Sequence, residues 1–270
     1  MHAPSRTPEP IPAELLMLAY RSGIFPMADH RDDPEVYWVE PRERAIIPLD
    51  GLRVSKSLAK VIRQDRFRVT CDAAFPQVIA ACAAPREEHA ESWISRRIEA
   101  SYLALHAAGD AHSIECWLPD EAGGQRLAGG LYGVAFDKVF CGESMFSRTG
   151  NASKVALAWL VAGLRRAGFA VLDCQFMTDH LATMGAVPIP QAEYLARIGA
   201  ARGRAPETLP QAVGSLVSGA DAGDGDVAGA GEGDGCGLAG ARGDPEGAAA
   251  PPAAASSPGK LILQSLTHTS

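Results

Sequence analysis

The sequence predicts an α+β fold in which a single β-sheet collects most of the strands. Residues 111–186 read in order as a strand, a hairpin, a helix, a strand and a short helix. A long amphipathic helical pattern covers residues 92–109, directly before the first of these strands. Composition changes sharply after about residue 205, where apolar side chains become rare. Helices and strands in this order pack as layers around one sheet, and the tail contributes little to its core.

The first seventy residues predict short elements separated by turns. The stretch PAELLMLAYRSG, residues 12–23, has the apolar spacing of a helix and ends on a glycine. Four prolines between residues 26 and 48 indicate short strands and turns. Residues 55–64 predict a helix that begins with a serine cap, and residues 67–72 predict a strand.

The middle of the chain predicts the longer elements. In chain order they are a helix over 75–84, a helix over 92–109, a strand over 111–120, two strands within 126–147, a helix over 151–168, a strand over 170–176 and a helix over 178–186. A turn near Asp137 and Lys138 joins the two strands within 126–147 as a hairpin.

The tail predicts a linker followed by a segment that docks. Residues 213–259 consist mainly of Gly, Ala, Ser, Pro and Asp, and they offer too little apolar surface to offset the entropy of ordering. The last stretch, KLILQSLTHTS, regains an apolar pattern and is expected to return to the core as a strand; the alternative is that it makes no contact with the core. The predicted domains are 1–70, a small α+β domain; 71–205, the larger domain; 206–259, a disordered linker; and 260–270, a C-terminal segment.

Composition and charge exclude several classes of protein. A net charge of −7 over 270 residues argues against a protein that coats nucleic acid, although it is compatible with a local basic patch. The six cysteines form no CxxC pair and no zinc-type spacing, so we expect reduced, mostly buried thiols. The N-terminus lacks the apolar core of a signal peptide, and no stretch approaches the roughly 18 apolar residues of a membrane helix. These features predict a cytoplasmic protein.

Polar side chains interrupt two strands that are otherwise apolar. In VFCGESMF, strand alternation places Glu143 and Met145 on one face, and in VLDCQ it places Asp173 and Gln175 on one face. A carboxylate on a half-buried face needs a partner. We therefore expect the two carboxylates and the amide to converge on one polar pocket where the strands end. The structural alternative is that Asp173 caps the next helix or pairs with Arg148.

Long segments of the chain resemble one protein family. These are GGLYGVAFDKVFCGESMFSRTGNASKVAL and LDCQFMTDHLATMGAVPIPQAEYLARI, together with AYRSGIFPM, YWVEPRERAIIP and SWISRRIEASYLALHAAGDAHSIECW. They are similar to the bacterial leucyl/phenylalanyl-tRNA–protein transferases, over about residues 12–200. Because the matching segments are long, this resemblance is far more specific than a short glycine motif.

The resemblance implies both a fold and a reaction. The fold is a domain similar to N-acetyltransferases, preceded by a small α+β domain. The reaction moves Leu or Phe from aminoacyl-tRNA to the α-amino group of a protein that begins with Arg or Lys, which marks the product for degradation by the N-end rule. The resemblance implies no metal or soluble cofactor and no membrane partner, and we expect a monomer.

The resemblance also assigns roles to the polar residues. Asp173 polarises Gln175, which holds the attacking amine, and Glu143 holds a cationic group or orients this relay. An amide is no base near neutral pH, so a direct base would be Asp173 or a water molecule. Alternatively, the site mainly orients the substrates and the sugar hydroxyl of the ester moves the proton. The sequence leaves both mechanisms open.

Substrate contacts follow from the same motif match. Six apolar side chains are expected to line the slot for the donor side chain: Leu131, Phe140, Met145, Leu157, Leu160 and Leu172. Tyr20 and Trp117 match positions that contact the 3′-terminal adenosine and the surface near it. The family often has Trp after GIFP, where this chain has Met27, so one stacking contact is altered here.

A basic stretch is the candidate surface for the acceptor stem of the tRNA. Lys56, Lys60 and Arg63 have the spacing of one helical face, and Arg66 follows directly after them. Such a face could contact phosphates, and since the net charge is negative we expect binding to be modest and sensitive to salt.

Other functions fit the residues less well. An acetyl-CoA-dependent N-acetyltransferase needs a pyrophosphate loop, but in RTGNAS the glycine lies one place early. An adaptor that only binds basic N-termini would not need the three polar residues. A cysteine hydrolase would use Cys141 or Cys174 with His180, but no third orienting group is evident.

Overall fold

In the computed structural model, which describes residues 9–85, 91–219 and 257–267, most strands belong to one sheet. The strands are β1 Phe25–Met27, β2 Tyr37–Val39, β3 Glu43–Ile46, β4 Arg68–Cys71, β5 Ala111–Pro119, β6 Gln125–Phe136, β7 Val139–Ser147, β8 Val171–Gln175 and β9 Val187–Pro190. The seven-stranded sheet has the order β4-β5-β6-β7-β8-β3-β9, and β1 and β2 form a separate pair. The helices are α1 Ala13–Arg21, α2 Lys56–Arg63, α3 Phe75–Cys82, α4 Arg96–Ala108, α5 Ala152–Ala167, α6 Asp179–Thr183, α7 Gln191–Ala200, α8 Leu209–Ser218 and α9 Pro258–Thr267. The predicted α+β class is confirmed.

The sheet opens between β7 and β8. These two strands are parallel and pair only over Val139–Cys141 and Val171–Asp173. Beyond Cys141, β7 stays paired with β6 on its other side. The separation leaves room for a pocket between the second half of β7 and the end of β8.

Two apolar clusters cover the two faces of the sheet. The cluster on the α4 side contains side chains from α1, α3 and α4, such as Leu16, Phe75 and Tyr102. The cluster on the α5 side contains nearly the whole of α5, with side chains from α2, α8 and α9. Because α5 lies between the sheet and these three helices, it is buried almost all round.

Several predicted elements are confirmed with their caps. Ser55 caps α2 by accepting a hydrogen bond from the backbone N–H of Leu58 at 3.2 Å. The helix predicted from residue 92 begins at Arg96, because Ser95 is its cap. Asp137 forms the turn of the predicted hairpin at a positive φ of 52°.

The predicted linker over residues 206–259 is wrong in its first part. Residues 209–218 form α8, which begins with a reciprocal capping box between Thr208 and Gln211. Leu209, Val213 and Leu216 are buried against α5, at the spacing of one helical face. The helix forms because these apolar side chains pack on α5, and the glycine-rich stretch begins only after the helix ends. Residues 220–256 lie outside the described residues.

The C-terminal segment docks as a helix and not as a strand. The side chain of Ile262 is fully buried among α2, α5 and α8. The backbone N–H of Gly259 donates to Asp65 Oδ1 at 2.7 Å, and a Cβ at this glycine would lie 1.9 Å from the carbonyl oxygen of Ile62. Glycine is therefore required where α9 meets α2.

The domain boundary predicted at residue 70 stays a prediction. Strand β3 lies before this boundary and strand β4 spans it, and both strands belong to the seven-stranded sheet. Within the described part of the chain, every helix is too short or too polar to traverse a lipid bilayer.

Candidate active site

A β-bulge in the central hairpin creates the candidate site. Tyr132 of β6 pairs with Ser144 of β7, but the next residue, Gly133, pairs with Gly142, so Glu143 is the extra residue. An extra residue leaves the ladder and its side chain is redirected. A Cβ at Gly133 would lie 2.2 Å from a backbone carbonyl oxygen of β7, so β7 can approach this closely only with glycine opposite it.

The bulge overturns one prediction about the faces of β7. Strict alternation predicts Glu143 and Met145 on the same face, and this is wrong. Glu143 reaches Tyr20 and Tyr102 on the α4 side, whereas Met145 packs against the cluster on the α5 side. Alternation holds only along an unbroken ladder, and the bulge shifts the pattern by one residue.

Glu143 is buried in a network of three donors. Its side chain is 6% exposed, and Oε1 accepts hydrogen bonds from Tyr20 and from Gln175 Nε2, both at 2.8 Å. Oε2 accepts from Tyr102 at 3.0 Å. With Nε2 engaged in this way, the amide oxygen is the atom that Gln175 can offer to a donor in the pocket.

Asp173 lies beside this network in a charged environment. It is fully buried and forms an ion pair with Arg44, which is 1% exposed. Its carboxylate also accepts from Tyr194 at 3.1 Å and from the backbone N–H of Gln175 at 2.8 Å. The alternative that Asp173 pairs with Arg148 is therefore wrong, because Arg44 reaches it from the adjacent strand β3.

Asp173 holds the backbone of Gln175 in an uncommon conformation. Gln175 has φ at +63°, a region that non-glycine residues rarely adopt. The hydrogen bond from its N–H to Asp173 stabilises this conformation and ends β8. The structure thus brings Glu143, Asp173 and Gln175 together, with Asp173 contacting the backbone of Gln175.

Burial sets the protonation of the Glu143 carboxyl. Desolvation raises its pKa to about 7, partly offset by the hydrogen bonds from Gln175, Tyr20 and Tyr102. The charge of Asp173 raises this pKa further. Burial, and then the charge of Glu143, raise the pKa of both Tyr20 and Tyr102 well above the ordinary value.

A pocket of about 990 Å³ opens between β7, β8 and α5. Its wall includes Glu143 and Gln175 and five of the six residues predicted for the donor slot: Leu131, Met145, Leu157, Leu160 and Leu172. Phe140 is not on this wall. Its side chain is fully buried in the α5-side cluster, because it precedes the point where β7 and β8 separate.

The two residues predicted to contact adenosine, Tyr20 and Trp117, are not on the wall of this pocket. The ring of Tyr20 is 1% exposed and its hydroxyl is bonded to Glu143, so no base can stack on it. Trp117 on β5 packs against the α4-side cluster, and its Nε1–H donates to Thr70 at 2.8 Å. Met27 does line the pocket, and so do aromatic side chains that the sequence did not indicate, among them Trp93 and the exposed Phe176.

The predicted basic surface is exposed. Lys56, Lys60 and Arg63 all project from α2 into solvent, and Arg66 follows with its guanidinium 5.9 Å from the centre of the Phe67 ring. The opposite face of α2 contributes Leu58 and Ile62 to the α5-side cluster.

Sequence reasoning missed Arg44, Tyr102 and Tyr194 as parts of the site. One signal was available for Arg44: a charged residue precedes the apolar run AIIP, and a buried charge needs a partner. Another was available for Tyr102, because a tyrosine on the apolar face of a helix needs a partner for its hydroxyl. The partners themselves come from other strands, and the sequence does not show which.

The two cysteines considered as nucleophiles are poorly suited to that role. Burial, followed by the charge of Asp173, raises the pKa of the thiols of Cys141 and Cys174, which keeps both protonated. Among the residues that the structure describes, no group of three His, Cys, Asp or Glu side chains is arranged to hold a metal ion.

The geometry is that of an apolar pocket with a buried carboxyl–amide pair on its wall. Comparisons with known proteins identify the class. The family model described as leucyl/phenylalanyl-tRNA protein transferase matches residues 46–199, and the model of the N-terminal domain of that transferase matches residues 10–42. Together these matches cover most of the residues that the sequence analysis assigned to the ordered part.

Curated relatives agree with the family models. A leucyl/phenylalanyl-tRNA–protein transferase of Novosphingobium aromaticivorans is 57% identical over 97% of this chain and 98% of its own length. Proteins of the same name from Rhizorhabdus wittichii and Zymomonas mobilis are 55% and 56% identical, over 72% and 71% of this chain and 76% and 69% of their own lengths. The chain belongs to the leucyl/phenylalanyl-tRNA–protein transferase family and is an aminoacyltransferase.

Proposed function

We propose that this protein transfers Leu or Phe from aminoacyl-tRNA to the α-amino group of proteins that begin with Arg or Lys, and thereby marks them for degradation by the N-end rule. The observation that carries the proposal is the position of Gln175. Its side-chain amide lies on the wall of the apolar pocket and donates to Glu143, while its backbone N–H donates to Asp173.

The pocket supports selection of Leu and Phe as donors. Met145, Leu157 and Leu172 give the wall an apolar surface, and the flexible thioether of methionine can pack against either an aliphatic or an aromatic side chain. A β-branched donor would differ in shape close to the reacting carbon. One methylene of mismatch is worth roughly 1–3 kcal/mol, so this slot would favour its donors without excluding others completely.

The amide of Gln175 supports attack by the acceptor amine. An aminoacyl ester is already activated, so the protein has to bring the amine to the ester carbonyl and hold it there. The Gln175 amide oxygen would accept a hydrogen bond from the amine. This bond would orient the lone pair of the amine nitrogen toward the carbonyl carbon of the ester. The new amide bond forms, the ester C–O bond breaks, and the departing ribose oxygen takes the proton that the amine gives up.

The contacts of Asp173 favour a positioning role over direct proton abstraction. Its carboxylate is fully buried and engaged by Arg44, Tyr194 and the Gln175 backbone. A base must reach the proton that it removes, directly or through one water. Hydrogen bonds to charged groups contribute about 1.5–3 kcal/mol each, which suffices to hold Gln175 at its positive φ.

The exposed cations of α2 support contact with the acceptor stem of the tRNA. Lys56, Lys60 and Arg63 would contact phosphates, which fix orientation without reading sequence. The recognised part of the donor would then be the aminoacyl end in the pocket. We also propose that the protein works as a monomer.

Mixing the purified protein with leucyl-tRNA and a peptide that begins with Arg tests this function directly. Mass spectrometry should show one added leucine on the α-amino group, and a matched peptide that begins with Gly should stay unmodified. Acetyl-CoA in place of the charged tRNA is the control for acetyl transfer. An acetylated peptide, or an unmodified Arg peptide, would reject the proposal.

A further inference from the structure

The side chains around Glu143 form a closed ring of contacts between oxygen atoms. The hydroxyl oxygens of Tyr20 and Tyr102 lie 2.5 Å apart. The first lies 2.8 Å from Oε1 of Glu143, and the second lies 3.0 Å from Oε2. All three distances are those of O–H···O hydrogen bonds, and each such bond needs one proton.

The number of available protons depends on whether Glu143 is ionised, and it decides whether all three contacts can be hydrogen bonds. The two phenols supply two protons for three contacts. If Glu143 were ionised, both phenols would donate to it, and their oxygens would face each other at 2.5 Å with no proton between them. If Glu143 is protonated, the bond between Tyr102 and Oε2 reverses its direction: Oε2–H donates to Tyr102, Tyr102 donates to Tyr20, and Tyr20 donates to Oε1. Every contact is then a hydrogen bond.

Gln175 adds a fourth contact without changing this count. Its Nε2–H donates to Oε1 of Glu143 at 2.8 Å and brings its own proton. Oε1 has two lone pairs, which accommodate the donors from Gln175 and Tyr20 together. The ring is therefore complete in one orientation of the Gln175 amide, the one in which the amide oxygen is left for the pocket.

We propose that Glu143 works as a neutral carboxylic acid, and that Tyr20 and Tyr102 are positioning residues that fix the Gln175 amide through it. This inference rests on the proposed function, since it explains how Gln175 is aimed at the attacking amine. A neutral Glu143 places no additional negative charge beside the pocket. It therefore does not stabilise the ammonium form of the acceptor, and the free amine, which is the nucleophile, is not disfavoured there.

Among the other titratable and charged groups around the ring, Asp173 is the one whose charge raises the pKa of Glu143. These groups are Cys82 on α3, Glu99 on α4, Tyr132 on β6, Cys141 on β7, and Asp173 on β8 with its partner Arg44 on β3. Burial first, and then neighbouring charges, raise the pKa values of Tyr132 and Cys141, so both stay neutral. The charge of Asp173 opposes ionisation of Glu143, and burial of Glu143 opposes it more strongly.

Infrared spectroscopy of the whole protein tests the protonation state. The difference spectrum between the wild-type protein and Glu143→Gln should contain the carbonyl stretch of a protonated carboxylic acid at about pH 6, and the band should vanish by about pH 8 to 9 as the acid ionises. A folded wild-type protein without this band at about pH 5 would overturn the proposal. This measurement needs no substrate, so it is independent of the proposed function.

Tyr20→Phe tests whether the ring includes the tyrosine. Removing a donor to Glu143 should move the midpoint of the carboxylic acid band to higher pH. Tyr37→Phe is the matched control, because it makes the same change at a tyrosine that is 45% exposed, and it should leave the midpoint in place. An unchanged midpoint in Tyr20→Phe would overturn the ring.

Transfer kinetics test the positioning role. Glu143→Ala should lower kcat/KM for leucine transfer about 10- to 100-fold, whereas Glu143→Gln, which can fill the same ring with a neutral side chain, should lower it several-fold less than Glu143→Ala does. Equal losses in both variants would show that the charge of Glu143 is needed and would overturn the proposal. A wild-type protein that transfers no leucine would instead reject the proposed function and leave the infrared result standing.

Discussion

The two buried carboxyl groups of the site lie on neighbouring strands in opposite electrostatic environments. Asp173 is held by the guanidinium of Arg44, with Tyr194 as a further donor. Glu143 is surrounded by the hydroxyls of Tyr20 and Tyr102 and by an amide, and burial raises its pKa to about 7. One carboxyl is stabilised as an anion and the other as an acid, and Gln175 is fixed between them.

The difference shows how the surroundings give two similar side chains separate tasks. The paired anion fixes the backbone of Gln175, and the acid fixes its side-chain amide. Neither carboxyl has to reach the substrate to affect the reaction.

The largest expected effect comes from removing the charge partner of Asp173. Arg44→Met leaves a buried carboxylate unpaired, which should destabilise the protein by about 3–5 kcal/mol. The double variant Arg44→Met with Asp173→Leu should recover much of this stability, since it leaves no unpaired charge, but it should not recover activity. Urea denaturation of wild type and the two variants measures their free energies of unfolding. A loss below about 1 kcal/mol in Arg44→Met would show that the pair is not coupled as described.

Titration of Glu143 should make stability depend on pH. Its pKa in the folded protein, about 7, lies above the ordinary value of 4.5, so the stabilisation is complete below about pH 4 and is lost as the pH rises to about 7. Wild type should therefore lose about 3 kcal/mol relative to Glu143→Gln between about pH 4 and pH 8, at about 1.4 kcal/mol per pKa unit. Denaturant midpoints of both proteins across this range provide the test. Parallel curves would mean that Glu143 titrates as it does in water.

A smaller effect is expected for donor selectivity. Met145→Ala should enlarge the slot and change the ratio of kcat/KM for Leu and Phe about tenfold, within the roughly 1–3 kcal/mol that such a wall supplies. Met184→Ala removes the same side chain from the core, where Met184 is 2% exposed, and should lower stability without changing the ratio. Competition between the two charged tRNAs gives the ratio directly. The same ratio in Met145→Ala and wild type would make Met145 only a core residue.

The smallest effect concerns the cations of α2. Lys60→Glu should reduce the slope of log affinity against log salt by about one for aminoacyl-tRNA, while kcat at saturating donor is kept. Arg202→Glu makes the same change of net charge at another exposed residue and should leave the slope unchanged. If both variants alter the slope equally, the effect belongs to net charge and not to α2.

The sequence predicts much of the fold because periodicity and caps are local. The hairpin turn at Asp137 and the cap Ser55 lie where their residue types indicate, whereas the helix predicted from residue 92 begins only after the cap Ser95. The helix over 209–218 was missed because a glycine-rich stretch follows it directly. The composition averaged over both segments hides the apolar spacing of the helix. Docking of α9 depends on a groove that only the folded chain supplies.

The sequence indicated which polar residues form the site, but not how their side chains are arranged. Strand ends and long motif matches indicated Glu143, Asp173 and Gln175. The bulge that turns Glu143 away from Met145 is a property of two paired strands, so alternation along one strand predicts the opposite. The burial of Tyr20 and the approach of Arg44 likewise depend on elements far apart in sequence.

The rate of a single turnover in Gln175→Ala tests whether the Gln175 amide positions the attacking amine. With leucyl-tRNA and an Arg peptide both saturating, we expect a rate about 100-fold below wild type, because the amine is no longer positioned, and an almost unchanged affinity for leucyl-tRNA. A rate equal to that of wild type would contradict this role, since the side-chain amide that Glu143 holds would then have no part in the transfer.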